Sequence, residues 1–104
     1  MKLRPKLNVI GPLVRILRDK KGWSQATLAR KLQLLGWSLT RHSVAKLELQ
    51  LRRVSDCELM YLAHVLGVTP SDLFPKKVAW RELGPHFQTT HRMSLFPTRG
   101  DKGV

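Results

Sequence analysis

Residues 24–48 read SQATLARKLQLLGWSLTRHSVAKLE, and this stretch decides the fold. Ser24 is a good N-cap, because its hydroxyl can accept a bond from an unpaired backbone N–H of the first helical turn. Thr27 stands where a capping box would place Glu, so the cap is partial. Leu28, Ala29 and Leu32 then share one face of a second helix in the chain. Gly36 breaks the pattern, and Trp37, Ser38 and Leu39 lead to Thr40, which caps helix three (about 41–49). Val44 and Leu47 are the inward residues of that helix, while Arg41, His42 and Lys46 lie near its start. Two short helices joined by a turn follow, the second of them cationic.

The flanks supply the rest of a bundle. Helix one is expected over about residues 8–21, where Ile10, Leu13, Val14 and Leu17 recur at i, i+3, i+4 and i+7. Gly22 ends it. After helix three, Ser55-Asp56-Cys57-Glu58 is a complete capping box, followed by Leu59, Leu62, Ala63 and Leu66 and closed by Gly67. Thr69-Pro70-Ser71-Asp72 caps a short fifth helix, with Pro70 at the position where a missing N–H costs nothing. Leu73 and Phe74 close the core and Pro75 stops the helix. The expected fold is all-α: a compact five-helix domain over residues 8–75, preceded by a basic arm (1–7) and followed by a flexible basic tail (76–104). The tail holds six basic residues against two acidic ones, with a helical turn expected around residues 78–83.

Composition narrows the partners. Of 104 residues, 42% are hydrophobic, enough for a core, and 19 Lys and Arg against seven Asp and Glu give a net charge of +12. Such a field favours polyanions, nucleic acid before an anionic membrane surface. No apolar run approaches the roughly 18 residues of a spanning helix. Charges at Arg15, Arg18, Asp19 and Lys20 interrupt any signal-peptide core, and the single Cys57 cannot build a disulfide framework. A cytoplasmic, nucleoid-associated protein is the expectation. No Ser/His/acid set, paired carboxylate, phosphate loop or paired metal-ligand spacing is present, so neither catalysis, a cofactor nor a metal is expected.

With the helices placed, the order of motifs resembles the helix-turn-helix family of phage repressors, the Cro or lambda-repressor type also called XRE-type. The resemblance spans Ile10 to Phe74. It is carried by Arg18, then Ser24-Gln25 with Leu28-Ala29, then Val44 through Glu48, then Leu62-Ala63-His64-Val65-Leu66-Gly67-Val68. It implies a double-stranded DNA-binding transcriptional regulator of bacterial or phage type, a homodimer with helix two across the backbone and helix three in the major groove. Gln25 matches the position that holds a phosphate and braces the recognition helix, and Arg41, His42 and Lys46 match positions that reach base edges. Arg18 and Glu48 match a structural pair tying helix one to helix three. Ser24, Thr40 and Ser43 complete the candidate DNA-contacting set on the two helices, and Arg52 and Arg53 restore positive charge beside the backbone after them. Arg can make a bidentate contact to guanine O6 and N7, and Lys reaches the same acceptors as a point charge, so a guanine in the half-site is expected.

Two stretches depart from the family pattern. The turn over residues 33–39 is longer than usual: helix two continues through Leu34-Leu35 along the Leu28 and Leu32 stripe, or a wider loop tucks Trp37 beneath the domain. The former is preferred. Glu48-Leu49-Gln50-Leu51 replaces the usual basic residue and Gly or Asn, so Leu49 and Leu51 either pack inward or form an apolar edge for a partner. Arg4 is the best candidate for an arm entering the minor groove. Trp23 and Trp37 read as core or interface filling. Trp80, with Phe87 and Phe96, can anchor the tail to its own domain or to a second subunit. The rival functions are a DNA-binding antitoxin or accessory subunit, whose partner binds Leu49, Leu51 or the tail, and an interaction or RNA-binding module on the same fold.

Overall fold

Apolar residues three and four apart wind into four α-helices around a common core. The computed structural model of the chain describes residues 5–83; the expectations for Arg4, Phe87, Phe96 and a flexible tail beyond Leu83 lie outside them. The helices are α1 (Gly11–Lys20), α2 (Gln25–Leu34), α3 (Arg41–Glu48) and α4 (Asp56–Leu66), followed by single 3₁₀ turns at Pro70–Leu73 and Trp80–Glu82. The core is formed by Ile10, Val14, Leu28, Ala29, Leu32, Leu39, Val44, Leu47, Leu62, Ala63, Leu66 and Leu73, all buried. Among the described residues the structure is helical, with no strand beyond one isolated bridge between Lys6 and Leu83. No described helix is long and apolar enough to cross a membrane.

Two expectations are corrected. Helix one begins at Gly11 rather than Asn8, because the Asn8 side chain leaves the helix to cap it: its Oδ1 accepts from the Gly11 N–H at 2.8 Å. Pro12, lacking an N–H, sits in the first turn, where none is needed. The fifth helix is a single 3₁₀ turn. Pro70 starts it and Pro75 forces Phe74 into an extended conformation (φ −95°, ψ 142°), so there is room for one turn only. The helical turn expected around residues 78–83 is the 3₁₀ turn Trp80–Glu82, and it folds back: Lys6 N–H donates to the Glu82 carbonyl and Lys6 Nζ lies 3.6 Å from the Glu82 carboxylate.

Each α-helix closes with the same turn. A residue two or three positions beyond the helix end reaches back across it: Trp23 to Arg18, Trp37 to Leu32, Leu51 to Lys46 and Val68 to Ala63. That closure requires one left-handed residue. Three times it is glycine, and after α3 it is Gln50 at φ +65°. Gln50 offsets the strain with a side-chain bond to the Asn8 carbonyl at 2.9 Å, while its own carbonyl accepts from Leu7 N–H. Asn8 in turn donates from Nδ2 to the carbonyls of Leu47 (3.1 Å) and Arg52 (2.9 Å). The segment before α1 is thus bolted to the end of α3.

The capping boxes of Ser55/Glu58 and Thr69/Asp72 are both formed. Bonding to Thr69 holds the Asp72 carboxyl below its usual pKa. A depressed carboxylate pKa stabilises above the unfolded value, so this cap is present at neutral pH and lost as pH falls through the folded value.

Where α1 meets α3, no side chain fits. A methyl on Gly11 would fall inside contact distance of the Leu47 carbonyl oxygen and 2.9 Å from that of Glu48. Both obstacles are backbone atoms, so relief requires moving a helix. Gly11→Ala is expected to destabilise the domain by about 1–3 kcal/mol in urea denaturation; a neutral or stabilising result would contradict this packing.

Candidate nucleic-acid interface

The site is organised by one buried ion pair. Arg18, on α1, donates from Nε to Glu48 Oε2 at 2.6 Å and from Nη2 to Glu48 Oε1 at 3.0 Å. Its Nη1 also donates to the Trp23 carbonyl at 2.7 Å, in the turn before α2. Gln25, the first residue of α2, donates from Nε2 to Glu48 Oε1 at 3.0 Å. Three helices and one turn converge on a single carboxylate whose side chain is 2% exposed. Hydrogen bonding to Glu48 raises the Arg18 pKa; burial opposes this, and attraction to Glu48 and Asp19 adds to it. Lys21 and Lys31, over the Trp23 ring at 5.2 and 4.5 Å, brace the same turn.

This arrangement fixes the electrostatics of the α2–α3 unit. Between Ser24 and Arg53 the bases are Arg30, Lys31, Arg41, Lys46, Arg52 and Arg53, and the single acid is Glu48. That acid is buried and neutralised from behind. The outer surface of α3 therefore presents Arg41, His42 and Lys46, all exposed, with no exposed carboxylate on the same helix. Thr40 Oγ1 accepts from Ser43 N–H at 3.1 Å and Ser24 Oγ accepts from Thr27 N–H at 3.0 Å, so both helices begin at capped, exposed N-termini. Such ends suit an anion.

The long turn is held by several contacts. α2 runs to Leu34, Leu35 caps it, and Gly36 reverses the chain. Leu35 leaves the buried stripe and Leu34 is 80% exposed, so of the leucines in this stretch only Leu28 and Leu32 face the core, beside Ala29. The Gln33 amide donates to the Leu39 carbonyl at 2.7 Å, Leu39 is buried, and Trp37 stacks on Tyr61 at 6.0 Å. The helix reaches Leu34 but does not carry the buried stripe on through Leu34-Leu35, and Trp37 is half-buried against Tyr61. Beyond α3 the leucines divide: Leu49 is exposed and Leu51 partly buried.

Arg52 and Arg53, neighbours in sequence, are placed differently. The Arg52 guanidinium lies over the Trp37 ring at 5.7 Å and 3.4 Å from Glu58, half-buried at the α3–α4 junction, whereas Arg53 is exposed. Ser24, Thr40, Arg41, His42, Lys46 and Arg53 are exposed on or beside the two helices, while Ser43 is half-buried and Gln25 is turned toward Glu48. Sequence reading missed Asn8, whose position three residues before Gly11 fits an Asn cap. It also missed the Arg52–Trp37–Glu58 cluster, for which residue spacing gives no signal. Among the described residues no group of three or more His, Cys, Asp or Glu is gathered as a metal would need.

Comparison with known proteins places the chain. No family model matches it, and neither does any curated protein. Among solved structures, the restriction-modification controller protein C.AhdI from Aeromonas hydrophila is 37% identical over 62% of this chain and 87% of its own, with a TM-score of 0.55. The DNA-binding domain of BldD is 26% identical over 67% and 94%, with a TM-score of 0.56. The enzyme HppE is 26% identical over 66% of this chain at a TM-score of 0.58, but only 37% of that protein is covered. The C.AhdI identity extends across nearly all of that protein, so the chain belongs to the helix-turn-helix family of Cro and lambda-repressor type.

Removing one partner of the central ion pair strands the other in the interior. Glu48→Ala is expected to cost about 3–5 kcal/mol in denaturant unfolding. The double replacement Arg18→Met with Glu48→Leu should cost less than either single change to Ala. A double variant as unstable as the sum of the singles would show that the pair does not act as a unit.

Proposed function

We propose that this protein is a sequence-specific, double-stranded DNA-binding transcriptional regulator that inserts α3 into the major groove as one half of a homodimer. The observation that carries this reading is the exposed Arg41, His42 and Lys46 face on a helix whose one acid is buried against Arg18. The relatives agree in kind: C.AhdI is a controller protein and the BldD domain binds DNA. Residues in the first turn of a groove-inserted helix lie nearest the base pairs, and the position four residues on repeats that face. His42 and Lys46 have this relation, with Arg41 one residue before. Ser24, Thr40 and Ser43 would meet phosphate at the helix N-termini, with Gln25 bracing from within. A two-fold pair of such helices reads half-sites one helical turn apart.

A second reading, in which the chain is the DNA-binding antitoxin or accessory half of a protein pair, is favoured by one feature. Leu49 is 62% exposed immediately after α3. Co-purification of a second chain lost on Leu49→Ser would support it. An interaction or RNA-binding role on the same fold would show as structured RNA outcompeting duplex DNA.

The deciding measurement is a gel-shift titration against duplexes selected from a random pool. Arg41→Ala is expected to weaken the selected duplex by about 1–3 kcal/mol and to relax preference at one base position. Equal affinity for every duplex, unchanged by Arg41→Ala, would remove sequence-specific readout. A dimer neutralising about six phosphates gives a log–log salt slope of roughly −5.

The two neighbouring arginines should separate. Arg53→Ala is expected to weaken all duplexes alike, to reduce the salt slope by about one and to leave stability unchanged. Arg52→Ala acts mainly on thermal stability. The reverse assignment would mean that Arg52 leaves Trp37 and Glu58 to reach phosphate.

A further inference from the structure

A groove of about 460 Å³ lies on the side of the domain formed by the segment before α1 and the start of α4. Its apolar lining includes Leu7, Val9, Val54, Leu59, Phe74 and Leu83, none of them buried. It lies within the size range of sites that enclose a ligand. Three observations identify what covers it.

The first is position: Leu83, at the end of the described chain, forms part of the groove's own rim. The second is direction. The bridge between Lys6 and Leu83 is parallel, so at Leu83 the chain points in the same sense as Leu7, Asn8 and Val9, which form one wall. The third is sequence. The residues that follow are Gly84-Pro85-His86-Phe87. Proline cannot donate to a helix and disfavours one in the residue before it, so this sequence favours an extended path over a helical one. Four extended residues reach about 13–14 Å, enough to bring Phe87 from the rim into the groove.

We propose that Phe87 is the occupant of this groove, carried in by residues 84–87 of the same chain. Phe96 is separated from Phe87 by a further nine positions, including the polar run Gln88-Thr89-Thr90-His91-Arg92. A side chain from a second copy must compete with one tethered four residues away, whose effective concentration is of millimolar order. The groove is thus the seat of the chain's own C-terminal segment. This assignment is independent of what α3 binds.

The test uses the full chain. In a uniformly labelled sample, nuclear Overhauser contacts are expected from the Phe87 ring to methyl groups of Val9, Val54 and Leu59. Phe87→Ala should lower Tm by about 4–8 °C, the shift expected for 1 kcal/mol in a domain of this size. It should also raise the fluorescence of an added hydrophobic dye, while Phe96→Ala does neither. Contacts from Phe96 in place of Phe87 would overturn the proposal. So would contacts seen only between labelled and unlabelled copies, or the absence of both contacts and a Tm change in Phe87→Ala.

Discussion

The domain depends on a charge that must not be seen by its ligand. Glu48 is the one carboxylate in the α2–α3 unit, and beside a polyanion an exposed acid would repel. Burying it unpaired would cost several kcal/mol. Both problems are met by Arg18 from α1, which takes both carboxylate oxygens, and by Gln25, which shares one of them. The same three side chains determine how α1, α2 and α3 sit together. A rotation of α3 that moved its cationic face would also pull Glu48 from the fork of a guanidinium, a planar partner with little tolerance for misalignment. Electrostatic concealment and geometric registration are here one interaction.

A second device holds the other end of α3. Asn8 bonds the Leu47 and Arg52 carbonyls, Gln50 bonds back to Asn8, and Gly11 lets the two backbones approach without a side chain between them. These contacts join residues about forty apart, and none needs an apolar side chain. They explain why Gln50 can occupy a left-handed position where the other three α-helices end in glycine. Glycine would relieve the φ strain but forfeit the amide bond to Asn8. The choice trades local backbone comfort for a tie between the entering chain and the end of the helix that carries the site.

The elements visible in the sequence were those specified locally. Ser24, Thr40 and Ser55 each cap the helix that follows, because capping acts over three residues. The inward leucines and valines of α2 and α3 followed from periodicity. The misses share a different character. Asn8 was assigned to a helix because the apolar stripe runs close beside it, yet its partners lie on α3 and the loop beyond. The Pro70 turn was read as a helix because a cap signals a start but not a length; Pro75 supplied the stop one turn later. Arg52 and Arg53 are indistinguishable as charges in sequence. Only the fold brings Trp37 and Glu58 to one of them. Exposure, which decides what an arginine can touch, is a tertiary property.

That last pair shows how the long turn before α3 is accommodated. Extra residues between α2 and α3 would ordinarily loosen the unit, since each adds chain entropy to be lost on folding. Here the added length is tied down at several points. Trp37 stacks on Tyr61 of α4, the Gln33 amide holds the Leu39 carbonyl, and Arg52 lies over the Trp37 ring while meeting Glu58. The turn has thereby become part of the interface between the helix-turn-helix unit and α4. A guanidinium from the loop after α3 is spent on it, so the cationic surface beside α3 is narrower than the sequence implies. On that flank Arg53 is the exposed arginine, so its position, rather than the number of arginines, fixes where positive charge lies beside α3.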